Sequence, residues 1–249
     1  MRLFEGDAIL LAGGTGRVGG ATLATLVSEG ARVLVVSRSL ERARDAIEGV
    51  LDEAEAAAAI PFAADLGDPA QAAAAVDALV ERYGRIDALV NLAGSGIGSK
   101  PLVESTPRDL HANLTAFAET AYNLALPALH AMLAQPYRDG ARSRGRIVTV
   151  TAGSSKDPAP GRGPFAVAKA GVNALMQAIA REHKADGIVA NALVLGGVAT
   201  EAARGYLDAG DFAAAATPQE VADALAFLAS DRGSGINGAL VDLNAREVD

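Results

Sequence analysis

The sequence contains no cysteine and no tryptophan. The first absence excludes a disulfide framework, a thiol nucleophile and a thiolate metal site. Histidine is scarce as well: His111, His130 and His183 are scattered, without metal-site spacing. No metal centre is therefore expected. Positive charge is in deficit, with 22 Lys and Arg against 30 Asp and Glu and a net charge of -8. That balance argues against nucleic acid or an anionic membrane surface as a partner. No apolar run approaches the ~18 residues of a membrane span. Met1 to Gly6 is too short and too polar to read as a signal peptide. A soluble, cytoplasmic protein with no membrane partner is the expectation. Aromatic residues make up only 4% of the chain and alanine is abundant, so helices should be thin and closely packed.

What is present is an apolar half. In a chain of 249 residues this is enough to bury one large α/β core, and a single domain over 1–249 is expected. The organising stretch is N-terminal. Ile9 to Leu11 is apolar without alternation, as a strand buried on both faces should be. Gly13, Gly16 and Gly19 follow at every third position, with Thr15, Arg17 and Val18 between them. Such spacing allows a sharp turn, a close backbone approach to a ligand, and tight packing of helix on sheet. The helix continues through Ala21 to Val27, Gly30 ends it, and Arg32 to Val36 reads as the next buried strand. Strand, glycine turn, helix, strand is the context in which such glycines bind a dinucleotide, its pyrophosphate on the free amides of the helix N-terminus.

The end of the second strand bears on which dinucleotide. An acidic residue there would bond the ribose hydroxyl of NAD. Ser37 and Arg38 occupy the position, and Arg17 on the glycine turn is a second guanidinium for the same group. A hydroxyl and guanidinium groups suit a 2′-phosphate, so NADP(H) is expected.

The remaining chain alternates strands and helices. Leu40 to Ala59 predicts one charged, alanine-rich helix, followed by a strand over Ile60 to Ala64. Asp68-Pro69 opens a helix that Gly84 closes. Ile86 to Asn91, Arg146 to Thr151, Ile188 to Leu195 and Ala239 to Leu243 read as strands. Pro107 to Leu133, Gly163 to His183 and Thr217 to Ala229 read as helices. Arg138, Arg142, Arg144 and Arg146 make the segment before the fifth strand basic, and a solvated loop is expected. The pattern predicts a Rossmann-type, doubly wound, mostly parallel seven-stranded sheet in three α/β/α layers. Ligands in such sheets lie beyond the carboxyl ends of the strands.

At this point the residues resemble a family, the short-chain dehydrogenases/reductases, over nearly the whole chain. Asp65-Leu66 matches the family's contact to the adenine ring. Asn91, Leu92, Ala93 and Gly94 look like its Asn-Asn-Ala-Gly motif. Asn113 matches the helix Asn that anchors a catalytic water. Gly145 to Val148 resembles the start of the fifth strand. Gly196, Val198 and Thr200 resemble the loop beside the nicotinamide. The resemblance implies an oxidoreductase of small carbonyl compounds, a nicotinamide cofactor, and a homodimer or homotetramer built on the two long helices. The glycine spacing is more usual in the family's extended branch, and Val241-Asp242-Leu243-Asn244 replaces its usual Val-Asp-Gly-Gly. The segment Gly197 to Thr217, with Tyr206 and Phe212, stands where the family has its substrate loop.

One departure touches the chemistry. The family uses Tyr-x-x-x-Lys on a helix, with a Ser thirteen residues earlier. This chain has Phe165 and Lys169 on that helix, and Ala152 at the Ser position. Phenylalanine has no proton to give, and a missing general acid costs ~10²–10⁴ in rate. Two main readings stay open, beside the remainder of a fold with no nucleotide function. In one, the chain is an atypical reductase whose proton comes from Thr151, Ser154 or Ser155, from Lys169 through water, or from the substrate. In the other, it binds NADP(H) without turnover, as a sensor or a partner subunit.

Overall fold

The computed structural model describes residues 2–94, 98–205 and 209–243. Tyr206 and Asn244 lie outside these residues. The strands are β1 (Ala8–Ala12), β2 (Arg32–Ser37), β3 (Ala59–Ala63), β4 (Ala88–Asn91), β5 (Gly145–Ala152), β6 (Ile188–Leu195) and β7 (Leu240–Leu243). They form one sheet in the order β3-β2-β1-β4-β5-β6-β7. Every pair is parallel, so the sheet is wholly and not mostly parallel. The helices are α1 (Arg17–Ser28), α2 (Leu40–Glu48), α3 (Glu53–Ala56), α4 (Pro69–Tyr83), α5 (Pro107–Asn113), α6 (Thr120–Ala134), α7 (Gly163–Glu182), α8 (Ala209–Ala214) and α9 (Pro218–Ala229).

Both sheet faces are apolar, as the unalternating strands require. Leu10, Leu34, Leu89 and Ile147 pack against Val76 of α4, Leu124 of α6 and Met176 of α7. Ile9, Val35, Val90 and Leu193 face the other way, onto Leu23 of α1, Ile47 of α2 and Leu225 of α9. Helix ends follow local chemistry. Asp68 accepts from the Ala70 amide, Pro69 starts α4, and Gly84 ends it at φ +76°. Thr217 and Glu220 form a capping box on α9.

Two predicted helices are not single. The stretch Leu40 to Ala59 breaks after α2, because Asp52 takes the amides of Ala54 and Glu55 and opens α3 afresh. Ala59 then belongs to β3. The stretch from Pro107 is interrupted by a π turn over Leu114–Glu119, where the Thr120 hydroxyl donates to the Thr115 carbonyl. Such turns re-aim the residues beside them.

The basic segment is also corrected. Arg146 is 4% exposed and its Nη2 lies 2.6 Å from Asp7 Oδ2. Arg138 Nη1 reaches Asp7 Oδ1 at 2.5 Å, and Arg85 Nε reaches Asp87 Oδ1 at 2.8 Å. Asp7 precedes β1, Asp87 precedes β4 and Arg146 lies in β5, so the arginines clasp the amino ends of three strands. Burial raises the Asp7 pKa, and Arg146 opposes that shift. Among the described residues, no helix is long and apolar enough to cross a membrane.

Candidate active site

A wholly parallel sheet gathers the carboxyl ends of its strands on one edge. The chain winds outward from β1 to β3, then starts again at β4 on the other side of β1. This reversal opens a crevice between β1 and β4. The glycine turn and the segment Asn91 to Gly94 meet there. Gly13 has φ +81°, and a Cβ on it would come within 2.7 Å of the Leu92 carbonyl carbon. A Cβ on Gly19 would collide with the Gly13 carbonyl, so this glycine is what lets α1 sit against the turn. A Cβ on Gly16 would meet nothing within 4 Å. The three glycines thus divide the work: two allow packing, and the third leaves open space over a helix N-terminus.

That N-terminus suits an anion. Gly16 is the N-cap residue, no side chain caps α1, and its first turn holds no acid. Thr15, Gly16 and Arg17 are exposed, with Val18 half-buried behind them. Arg38 is exposed at the end of β2, next to the half-buried Ser37. The Asn91 side chain is buried and accepts from the Ala93 amide, which shapes the turn into Gly94. Asp65 is exposed and accepts from the Gly67 amide. Leu66 beside it is buried, and its carbonyl accepts from Asn123 of α6. Across the crevice, Gly196 donates to the Leu243 carbonyl, Val198 bridges to Ala216, and the Thr200 hydroxyl accepts from the Ala203 amide. The open space at Gly16, the uncapped amides and the exposed guanidiniums fit a pyrophosphate and a further phosphate.

On the other side of the crevice lies Lys169. The residue is 7% exposed, and its ammonium donates to the Val150 carbonyl at 2.9 Å. Burial alone lowers its pKa from 10.5 to about 8. Two rings enclose it: Phe117, centred 4.4 Å away, and Phe165, centred 6.0 Å away. The rings meet edge to face at 5.2 Å and 82°. Thr151 is buried, with a hydroxyl that has no partner among the described residues. Ser154 is half-buried; Ser155 accepts from Asn173 of α7 at 2.8 Å.

Beyond Phe165 is a cleft of ≈ 220 Å³, walled by Asn113, Asp109, Ser99, Lys100, Gly161 and Phe165, among others. Phe165 is therefore a wall residue. Ala152, at the Ser position, is not part of this wall, and neither are Thr151 and Ser154. Asn113 ends α5 where the π turn begins. It is 2% exposed; its Nδ2 donates to the Asp109 carbonyl at 2.8 Å, and its Oδ1 has no partner among the described residues. At the mouth, Lys100 pairs with Asp109 at 2.7 Å, and Lys100 with Thr106 holds the Asp109 carboxyl down to about 2. Arg162 stands over the Phe165 ring at 5.7 Å.

Comparison with known proteins agrees with this geometry. The family model described as enoyl-(acyl carrier protein) reductase matches residues 17–245. A solved short-chain dehydrogenase/reductase of Serratia marcescens superposes with a TM-score of 0.85 at 25% identity, covering 98% of each chain. The chain belongs to the short-chain dehydrogenase/reductase superfamily. Among curated members, an A-factor type gamma-butyrolactone 1'-reductase of Streptomyces virginiae is 30% identical, over 92% of this chain and 91% of its own. A probable 2,4-dienoyl-CoA reductase of Caenorhabditis elegans is 26% identical, over 97% of this chain and 80% of its own. The curated members it matches include reductases and a dehydrogenase, and the family uses nicotinamide cofactors.

Within this dehydrogenase/reductase fold, sequence reasoning located Asn113, Phe165 and Lys169 but missed Phe117. Its position, four residues after Asn113, was the available signal. Its place within a π turn, Leu114–Glu119, was not legible in the sequence. The tie from Asn123 to the Asp65-Leu66 loop had no sequence signal at all.

Proposed function

We propose that this chain is an NADP(H)-dependent reductase of a small unsaturated compound, working without a tyrosine acid. The observation that carries it is the uncapped α1 N-terminus with open space at Gly16, together with the exposed Arg17 at the start of α1 and the exposed Arg38 after β2. When bound there, the cofactor supplies a hydride. The chain supplies the rest. The amides of the glycine turn would hold the pyrophosphate. Arg38, Arg17 and Ser37 would hold the 2′-phosphate, Asp65 and Leu66 the adenine. Asn91, Ala93, Gly94, Gly196, Val198 and Thr200 form the walls of the nicotinamide end. Lys169 has two N–H groups left after its bond to Val150, and these would reach ribose hydroxyls. Phe165 lines the cleft and cannot donate a proton. A cytoplasmic homodimer or homotetramer remains part of this reading. The rival reading, NADP(H) binding without turnover, draws on the same missing hydroxyl.

Deuterium transfer separates the two. The protein is incubated with NADPH deuterated at the nicotinamide C4 and a mixed pool of ketones, quinones and imines. A Phe165→Tyr, Ala152→Ser variant runs alongside. Label in a product of the unmodified protein supports the reductase. NADPH binding without label, with label appearing from the variant, supports the silent reading.

A further inference from the structure

The loop between β3 and α4 is tied to a helix far away in the chain. Asn123 of α6 donates its Nδ2 to the Leu66 carbonyl at 3.1 Å and to the Gly67 carbonyl at 3.2 Å. Two acceptors on one side fix which way the carboxamide faces, because an oxygen placed there would face two oxygens. The residue is half-buried, and the carbonyls it reaches lie 57 and 56 positions earlier. The loop's other side-chain ties are local. Asp65 donates its amide to Gln71 Oε1, and Gln71 Nε2 donates to Asp68 Oδ2, all at the start of α4.

The far side of each of those two peptides bonds to Asp65. A trans peptide is planar, so its carbonyl and its amide point in opposite directions. The Leu66 carbonyl meets Asn123, and the Gly67 amide of the same peptide donates to Asp65 Oδ1 at 3.0 Å. The Gly67 carbonyl meets Asn123, and the Asp68 amide of that peptide donates to the Asp65 carbonyl at 3.0 Å. Asn123 thus holds two planes, and each presents a donor to Asp65. Gly67 stands between the planes, and without a Cβ it would let either rotate once Asn123 released them. The Asp65 carboxylate is left with Oδ2, which has no hydrogen-bond partner among the described residues, on an exposed residue.

We infer that Asn123 is a positioning residue for the adenine end of the cofactor, acting through Asp65. This rests on the cofactor reading above, in which Asp65 and Leu66 hold the adenine, and it names the residue that aims them. With Oδ1 spent on the Gly67 amide, Oδ2 is the oxygen free to accept from the exocyclic amine of adenine. Rotation of the peptide between Leu66 and Gly67 would release Oδ1 and let the carboxylate swing. Leu66 packs its side chain into the same core as Leu124 and Ala125 of α6. One helix therefore supplies both the apolar anchor of the loop and its polar tie.

The test compares NADPH with reduced nicotinamide hypoxanthine dinucleotide phosphate, which carries a carbonyl in place of the adenine amine. Both are titrated into the whole chain and into its variants. The unmodified protein should prefer NADPH by ~10-fold or more, the scale of a hydrogen bond to a charged acceptor. Asn123→Leu and Asn123→Asp should bring the two affinities close together, mainly by weakening NADPH. Asn123→Gln, which keeps the amide donor, should restore part of the preference. On an Asp65→Ala background, Asn123→Leu should cost NADPH binding nothing further. A measurement on the unmodified protein covers a variant that fails to fold: the side-chain amide NMR signal of Asn123 should shift more with NADPH than with the hypoxanthine analogue. A preference that survives Asn123→Leu, or an Asn123 signal that NADPH leaves unmoved, overturns the positioning role. Equal binding of both nucleotides by the unmodified protein overturns it too, and leaves the cofactor reading standing. No NADPH binding overturns both.

Discussion

The ammonium of Lys169 lies 4.4 Å from the centre of the Phe117 ring, and no carboxylate pairs with it among the described residues. A ring face and one carbonyl replace only part of its hydration. The pKa of about 8, against 10.5 for the free group, expresses that shortfall.

Lys169 should therefore destabilise the unliganded protein. Between pH 8 and 10.5 the unfolded chain binds the proton that the folded chain releases, so stability rises with pH through this window. Below it the penalty is complete, at most about 3 kcal/mol. Lys169→Met should raise the Tm of the unliganded protein at pH 7, by ~2–4 °C for each kcal/mol recovered. Calorimetry at neutral pH and again near pH 10 checks both halves. The same variant should bind NADPH more weakly, and a Tm that falls at pH 7 would count against the buried-charge account.

Gly16 and Gly13 should fail differently. Gly16 is at φ -89° with open space around a new Cβ, so Gly16→Ala should cost less than ~1 kcal/mol of stability. Its methyl should nonetheless obstruct the pyrophosphate. Gly13→Ala forces a side chain onto φ +81° and into the Leu92 backbone, and should destabilise the fold itself. Denaturant midpoints and NADPH titrations of the two variants give the comparison. Unimpaired binding by Gly16→Ala would remove the pyrophosphate from this turn.

Arg38→Asp should weaken NADPH far more than NADH. A charge-assisted hydrogen bond contributes ~1.5–3 kcal/mol, or roughly 10- to 150-fold in Kd. The introduced carboxylate would also accept from a free ribose hydroxyl, so NADH should gain. Equal losses for the two nucleotides would sink the 2′-phosphate assignment.

At the opposite end of the sheet, Arg146→Leu leaves the buried Asp7 with Arg138 as its remaining close cation. Breaking one partner from a buried pair costs ~3–5 kcal/mol. Burial already raises the Asp7 pKa, and losing Arg146 raises it further. The loss should thus be smaller at pH 5 than at pH 7, because the stranded carboxyl takes up a proton as the pH falls. Urea unfolding at both values reads the difference; an equal or larger loss at pH 5 would mean that Asp7 is not the group left exposed to the cost.

Local chemistry is what the sequence determined by itself. Asp68 with Pro69, Thr217 with Glu220, and Gly84 mark helix ends because a cap acts on amides two or three residues away. The glycines at 13, 16 and 19 announced a turn because backbone freedom belongs to the residue that has it. Unbroken apolar runs announced strands covered on both faces, and hence a doubly wound sheet. The broken helix after Glu48 was within reach too, since Asp52 and Glu55 form a capping box readable in the sequence.

The tertiary structure decided which charges are buried and which polar atoms are left without partners. Arg146 reads as one of four loop cations until β1 and β5 are brought together and Asp7, 139 positions away, comes within 2.6 Å. Phe117, within the π turn, becomes a neighbour of Lys169 only when that turn and α7 are packed together. The free acceptor of Asn113 exists only because its amide is spent on Asp109 and the fold has shut out water. Burial and the low dielectric that comes with it depend on elements distant in the chain, and no local pattern of residues carries that information.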